Sequence, residues 1–215
     1  MKTSELYDEI LESGNEETKL EEVDITESSG ATEIERCFYE WNKYFEGTEP
    51  GKVPLGEEVL TPEDEKYQEA VELANSVEYD EESLREFLDG DWHRKFEEVN
   101  DDTRIYPRYK VDGVFVSAFV NQLDSQDVSL PELEDTGFLG YNNEKDLVIE
   151  GSVGSGLGKK MKQDSSIRVE GDAIKVGSYS EGGKIFVEGE IDEIGNQCGA
   201  EVYTLENGEW EHVNN

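Results

Sequence analysis

Apolar residues in the first half of the chain recur with the period of an α-helix. From Ile34 to Phe45 they lie three and four residues apart, and Gly47 follows as a residue suited to ending a helix. The members of this stripe are Ile34, Cys37, Phe38, Trp41, Tyr44 and Phe45. Aromatic stripes at helical spacing are more typical of a hydrophobic core than of a cofactor site, so we interpret this one as core.

Further helices are predicted up to residue 103. Thr61 and Pro62 form a good helix start, because they supply an N-cap hydroxyl and a first-turn proline. Asp80 is a cap for the next helix, which Gly90 ends. The predicted buried positions of these helices and of a last one are Tyr67, Ala70, Val71, Ala74, Val77, Leu84, Phe87, Leu88, Trp92, Phe96 and Val99. Residues 1–103 are thus predicted to be an acidic helical region, with a short amphipathic turn at residues 6–11, a flexible polar stretch at 14–31 and a loop at 48–60.

The period changes after residue 103. Between Tyr109 and Ala118, apolar residues alternate with others around the pair Asp112-Gly113. An Asp-Gly pair suits the central positions of a type I′ turn, which need positive φ. The pattern therefore predicts a β-hairpin linker over residues 104–124.

The last part of the chain, residues 125–215, is self-similar. Glycines preceded by an apolar residue occur at 140, 158, 177 and 195, with spacings of 18, 19 and 18 residues. Short strand-like runs ending in Glu-Gly place further glycines at 151, 171 and 189, and residues 202–205 continue the pattern without a glycine. A fixed period near this length, with apolar residues in phase, indicates one coil of a β-solenoid per repeat.

The same period predicts which side chains point inward. Leu139, Leu157, Val176 and Ile194 should form one inward ladder, and Ile149, Val169 and Val187 another. Glycines suit the corners between strands, where the backbone takes positive φ or approaches another coil closely. An antiparallel meander is the alternative, since its strands would also recur at short intervals.

The repeats resemble a known domain. Gly158-Lys159-Lys160-Met161 and the unit from Gly177 to Gly189, which contains Gly182-Gly183, look like the GXGXG repeat domain found in the large chain of glutamate synthase and in one of the chains of formylmethanofuran dehydrogenase. The resemblance covers about residues 132–205 and implies a right-handed β-helix that is structural and carries no catalytic residues. A weaker likeness is to bactofilins, the β-helical cytoskeletal polymers. The predicted fold is α+β: a helical N-terminal part, a β-hairpin and a short right-handed β-solenoid.

Composition adds a strong negative charge to this picture. Lys and Arg number 19 against 54 Asp and Glu, a formal net charge of -35, and apolar residues make up 34%. Both halves are acidic, with net charges of -24 over residues 1–103 and -11 over 104–215, so the charge is not an acidic tail. Adaptation to a salt-rich cytoplasm of a halophile explains this best, although the 13 lysines outnumber the 6 arginines. A nucleic-acid mimic is the alternative, whereas direct binding to nucleic acid or an anionic membrane is disfavoured.

Targeting and redox signals point to the cytoplasm. Cys37 and Cys198 are the only cysteines and have no CxxC partner, which favours two small buried hydrophobes in a reducing compartment. The first residues turn acidic at once without an apolar run, so no signal peptide is expected. The run from Val114 to Val120 is too short to span a membrane.

No pattern for chemistry passes a check of its spacing. The stretch from Gly151 to Lys160 lacks the glycine and hydroxyl positions of a phosphate-binding loop, and its glycines do not fit a dinucleotide fingerprint. His93 and His212 have no further histidine or cysteine at the spacing of a metal site. Asp89, Asp91, Asp101 and Asp102 lack the spacing of a calcium-binding loop. We therefore assign no catalytic, cofactor or metal residue and expect no cofactor.

Three functional hypotheses remain. The first is a non-enzymatic structural or protein-interaction protein, with a protein partner or self-association through an end of the solenoid that helices, Trp210 or another copy would cap. The second, suggested by the resemblance, is an accessory subunit of a multisubunit oxidoreductase or amidotransferase. The third is an acidic mimic that inhibits a DNA-binding protein.

Overall fold

The computed structural model describes residues 30–43, 62–90, 112–133 and 136–213. These form helices followed by strands, in an α+β arrangement. The helices are α1 (Gly30–Lys43), α2 (Pro62–Ala74), α3 (Glu81–Leu88) and α4 (Asp112–Gln122). The strands are β1 (Asp127–Leu130), β2 (Asp146–Ile149), β3 (Val153–Leu157), β4 (Ser166–Val169), β5 (Ala173–Val176), β6 (Lys184–Val187), β7 (Ile191–Ile194), β8 (Glu201–Glu206) and β9 (Glu209–His212).

The strands confirm the predicted β-solenoid. The strands form a long sheet in the order β1-β2-β4-β6-β8-β9 and a short sheet in the order β3-β5-β7, and from β2 to β8 successive strands alternate between the two. All pairings are parallel except the last, in which β9 folds back antiparallel onto β8. The antiparallel meander is therefore excluded for these strands, because each coil stacks on the one before it.

Inward ladders form the core, as the repeat period predicts. In the long sheet the register aligns two buried columns: Val128, Leu147, Ile167, Ile185 and Val202, and beside them Leu130, Ile149, Val169 and Val187. In the short sheet Leu157 and Val176 are buried, and Ile194 of the last coil is partly buried. The coils share one interior, because a single coil cannot bury its own inner face.

The corners contain glycines with positive φ and, two residues later, a second residue with positive φ. Gly140, Gly158 and Gly177 have φ of 71°, 64° and 71°, the left-handed conformation that glycine adopts readily. Two residues after each of them, and again after Gly195, a residue with a side chain takes the same conformation: Asn142, Lys160, Tyr179 and Gln197, with φ between 52° and 60°. The chain therefore turns each of these corners through a fixed backbone conformation.

The predicted hairpin around Asp112-Gly113 is wrong, since these residues begin helix α4. Asp112 accepts hydrogen bonds at Oδ1 from the backbone N–H groups of Gly113 and Gly137, both at 3.1 Å. Residues 112–120 are all buried, so this helix is enclosed on every side. A helix that is buried all round has no polar face, and its run of apolar residues can then be mistaken for strand alternation.

Helix α4 lies between the other helices and the first coil. Phe115 packs against Phe38, Trp41 and Phe87, with ring centroids 5.2, 5.4 and 6.2 Å away. On its other side, Gly113 approaches the backbone of residues 137–139 so closely that a Cβ would lie 2.3 Å from the Gly137 oxygen. The helices thus close one end of the solenoid.

The predicted core positions of the N-terminal helices are buried where the structure describes them, except Val71 and Val77, which are partly buried. Asp80 caps α3, its side chain accepting from the Ser83 N–H, and Leu84, Phe87 and Leu88 are buried. Helix α1 begins at Gly30, inside the stretch predicted to be flexible. Residues 6–11, the loop at 48–60, the helix with Trp92, Phe96 and Val99, and Asp91, Asp101, Asp102 and His93 lie outside the described residues. The domain boundaries at 103 and 124, and the hand of the solenoid, stay predictions.

Candidate interaction surface

The outer face of the long sheet brings together several partly exposed apolar side chains, together with the exposed ring of Trp210. Strand alternation sends every second residue outward, and the register aligns Ser129, Val148, Arg168, Phe186 and Tyr203 in one column across β1, β2, β4, β6 and β8. Antiparallel β9 extends this face, because Trp210 and His212 stand opposite Leu205 and Tyr203. The column therefore runs along the axis of the solenoid.

Aromatic rings cluster at the β8–β9 end of this face. Phe186 and Tyr203 are stacked at 4.9 Å with an interplanar angle of 15°, and Trp210 meets Phe186 edge-on at 5.1 Å. His212 meets Tyr203 in the same edge-on manner at 5.3 Å. Trp210 is 38% exposed, so its ring covers Phe186 while leaving one side open to solvent. We call Phe186, Tyr203 and Trp210 the aromatic patch.

A groove of about 490 Å³ leads from the aromatic patch toward helix α3. Its lining includes Glu81, Asp127, Ser129, Val148, Arg168 and Phe186. Helix α3 forms the far wall, because Arg85 binds both carboxylate oxygens of Glu150 at 2.7 and 2.8 Å and Glu81 accepts from the Ser129 N–H. The hydrogen bonds from Arg85, and then one from the Ser129 side chain, hold the pKa of Glu150 below its usual value.

The charges along the groove are unevenly placed. At the α3 end, Asp127 and Asp146 stand side by side in register, and Asp146 accepts a hydrogen bond from Ser166 Oγ. Among the ion pairs of the described residues, none joins either aspartate to a lysine or arginine. Arg168 in the middle is paired with Glu188. The α3 end of the groove is therefore acidic.

Near the aromatic patch, the charges are balanced. Lys184 and Glu201 lie 4.0 Å apart, and both are more than half exposed. The Tyr203 hydroxyl donates to Glu201 at 2.9 Å, and this hydrogen bond raises the pKa of Tyr203. The patch thus places partly exposed aromatic rings beside exposed polar groups.

The glycine-rich stretch that resembles a phosphate loop has a structural role. Residues 153–157 form β3, and Lys159 and Lys160 lie in the corner after it. Lys160 Nζ binds both oxygens of Asp64 at 2.6 and 2.7 Å, and Lys159 Nζ lies 3.2 Å from Glu63. Both acids belong to the first turn of α2, so these lysines fasten the helices to the solenoid.

The remaining residues considered for chemistry are dispersed. Cys37 is buried in α1, where burial raises the pKa of its thiol, and Cys198 is partly buried in a corner of the last coil. Asp89 is exposed beyond α3, and His212 lies in β9. Within the described residues, no three His, Cys, Asp or Glu side chains converge as a metal site would require.

The aromatic patch could not be predicted from the sequence alone. Trp210 is one of the three caps considered for an end of the solenoid, and β9, which contains it, does cover the edge of β8. Its ring lies on the outer face against Phe186, which the sequence does not predict. The available signal was the outward phase of Phe186 and Tyr203, which occupy equivalent positions of consecutive repeats 17 residues apart. It could be recognised only after the register was known, because a one-residue slip sends a side chain to the other face.

Comparison with family models, with curated proteins and with solved structures finds no match to this chain. In the described ranges, none of the helices has both the length and the apolar character needed to cross a bilayer.

Proposed function

We propose that this chain is a non-enzymatic protein-interaction module in which the outer face of the long sheet is the docking surface. The observation that carries the proposal is the aromatic patch: three contacting rings on one face of a highly charged molecule, whereas Tyr39, Ile174 and Tyr179 are exposed singly elsewhere. Tyrosine and tryptophan are enriched at protein interfaces and dominate binding energy there. A rigid solenoid presents them at low entropic cost, since the strands beneath already fix their positions.

We also propose that the charge is an adaptation to high salt. Acidic surfaces remain hydrated when salt is abundant, and their mutual repulsion is screened when the Debye length falls to about 3 Å at molar ionic strength. The even spread of acids over both halves of the chain supports this. In such surroundings an interaction that relies on ring contacts keeps its strength, whereas exposed ion pairs lose theirs.

A more specific form of the proposal is a non-catalytic subunit of a larger enzyme, as the resemblance to GXGXG repeats suggests. Gly183, the second glycine of that pattern, supports it, because a Cβ there would lie 2.6 Å from the Ser165 carbonyl oxygen of the preceding coil. Met161 of the pattern supports it as well, since its side chain is fully buried between coils. The partner would then be another subunit seated on the outer face.

Site-specific photocrosslinking tests the docking surface. A benzoylphenylalanine at position 148, in the groove, is compared with one at position 174, where Ile174 is 50% exposed on the short sheet. In native extract adjusted to high salt, we expect a discrete crosslinked species from position 148 only, and we expect Trp210→Ala to remove it.

Four results would count against this proposal. Equal crosslinking from both positions would mean non-specific contact, and none from position 148 would mean that no partner docks there. A crosslink between two copies of this chain would replace a foreign partner by self-association. Recovery of a DNA-binding protein in a complex insensitive to Trp210→Ala would favour the mimic instead.

A further inference from the structure

We infer that the segment docking on the outer face is an extended stretch of a partner protein with basic residues at one end and a planar or apolar residue at the other. This inference rests on the proposed function and specifies its ligand. It follows from the two different ends of the outer face: the groove is acidic near α3, and at Phe186, where its lining ends, the aromatic patch begins and extends to β9.

The aromatic end of the outer face determines the partner's planar or apolar residue, which we call the anchor. Trp210 of β9 contacts Phe186 of β6 edge-on, and Phe186 stacks on Tyr203 of β8, so the three rings form one continuous aromatic surface. An aromatic, arginine or long aliphatic side chain docked there would contact the exposed parts of these rings. Rings in such a setting favour planar or cationic groups, which gain from dispersion and from the negative charge of the ring face.

The acidic end defines the second contact. Asp127 and Asp146 occupy the same register position on neighbouring strands, where like charges destabilise the sheet. Glu81 of α3 faces the same part of the groove. A lysine or arginine from a partner would relieve this repulsion, and an anionic segment would increase it. The net charge of -35 has the same preference for a cationic segment, and at high salt only its short-range part, the direct contact with the two aspartates, would act.

The spacing between the two ends predicts a length. From β1 to β8 the outer face spans four strand-to-strand steps, about 19 Å in total at the usual separation of parallel strands. The groove covers the first three of these steps, and Tyr203 lies at the fourth. An extended chain covers about 3.3 Å per residue, so the basic residues and the anchor should be separated by about five or six residues. The groove runs across the strands, so the segment lies along the solenoid axis and need not pair with a strand edge.

Calorimetric titration with synthetic peptides tests the inference on the full-length protein. The probe carries two arginines and a tyrosine joined by about five glycine and serine residues, matched to the span from β1 to β8. It is compared with a peptide in which glutamates replace the arginines, and with one in which the spacer is about two residues, too short to reach both ends. Circular dichroism first establishes the lowest KCl concentration at which the chain is folded, and titrations start there.

We expect the arginine peptide to bind at least about tenfold more tightly than the glutamate peptide and the short-spacer peptide. Trp210→Ala should weaken its binding about tenfold or more, as loss of an aromatic anchor does. Asp127→Asn with Asp146→Asn should weaken it about threefold and reduce its salt dependence. Tyr179→Ala, which removes a 48% exposed ring in a corner, is the matched control and should change nothing.

Equal binding of the arginine and glutamate peptides, or binding unaffected by Trp210→Ala, would overturn the inference, as would the absence of binding by any peptide. The crosslinking experiment keeps these failures separate from failure of the proposed function. If position 148 crosslinks a partner while the peptides do not bind, only the ligand class is wrong. If neither experiment gives a signal, the outer face is not a docking surface.

Discussion

At the scale of single residues, Gly183 and Gly208 distinguish two reasons for a glycine in a turn, namely positive φ and close approach of another part of the chain. Their φ values are nearly equal, at 84° and 86°. A Cβ on Gly183 would lie 2.6 and 2.7 Å from the carbonyl oxygens of Ser165 and Lys162, whereas one on Gly208 would meet nothing within 4 Å. We expect Gly208→Ala to lower the free energy of unfolding by about 1 kcal/mol through backbone strain, and Gly183→Ala by a further 1–3 kcal/mol, roughly, through overpacking. Urea unfolding of both variants measures the difference, and equal losses would mean that close approach between coils is unimportant.

Tyr79 makes alkaline stability depend on one buried phenol. Its hydroxyl donates to the Phe119 carbonyl oxygen at 2.7 Å, and burial raises its pKa above the ordinary value of 10.0. The folded state therefore holds Tyr79 protonated, so its contribution is complete below about pH 10 and is lost as the pH rises toward the folded pKa.

Because the pKa of Tyr79 is raised in the folded state, Tyr79→Phe should change how stability depends on pH. The variant should lose about 1 kcal/mol at neutral pH, because the Phe119 oxygen loses its donor, and should show a shallower decline of unfolding free energy above about pH 10. Tyr39→Phe, at a 38% exposed position, serves as the control. Parallel alkaline declines in the wild type and Tyr79→Phe would contradict the assignment.

The residues with positive φ at the corners could be predicted only in part from a single sequence. Glycines at 140, 158 and 177 were predicted to take positive φ and do so. The residues two positions after these glycines and after Gly195 are Asn142, Lys160, Tyr179 and Gln197. They have no single side-chain type in common, so only their spacing identifies them. Side chains tolerate this conformation there because backbone hydrogen bonds between consecutive coils fix it, such as that from the Lys160 N–H to the Ser178 oxygen.

At the scale of elements, the attachment of α2 to the solenoid depends on Lys160. Its pair with Asp64 is largely shielded, with side-chain exposures of 29% and 14%, and Tyr141 also donates to Asp64. Lys160→Gln keeps a side chain that the equivalent corner position already carries at Gln197. We expect it to lower the unfolding free energy by about 1–3 kcal/mol, between the values typical of exposed and buried pairs.

Lys184→Gln is the matched control for this prediction. It removes a lysine from a pair that is more than half exposed on both sides and 4.0 Å apart. Its effect should be below about 0.5 kcal/mol, since exposed pairs are well solvated. If both variants lost the same stability in urea unfolding, the lysines of this corner would not fasten the two parts together.

Elements differ in how well the sequence predicts them. Strands β2, β4, β6 and β8 could be predicted because every repeat brings apolar residues and glycines back in phase. Helix α4 could not, because its burial among the other helices and the first coil leaves no polar face and the Asp112-Gly113 pair has the chemistry of a turn. Tertiary burial, which the local pattern does not contain, decides its conformation. The aromatic patch was missed for a related reason, since it joins residues of three strands.

At the scale of the whole molecule, net charge should govern stability in dilute salt. With -35 formal charges, the folded state suffers self-repulsion that salt screens. We expect the urea midpoint at constant pH to rise steeply from about 0.1 M to about 3 M KCl. The double variant Glu209→Gln with Glu211→Gln, in exposed β9, should be more stable than wild type at low salt and equal to it at high salt. A midpoint independent of KCl would contradict adaptation to high salt.

The helical closure at one end also has a consequence for biosynthesis. A ribosome delivers the helices before the coils, so the closed end is complete when the first strand emerges. Each later strand of the long sheet pairs with one formed about 20 residues earlier, so a coil can dock as soon as it leaves the exit tunnel. Translation and assembly can therefore proceed in the same direction, each turn serving as the template for the next.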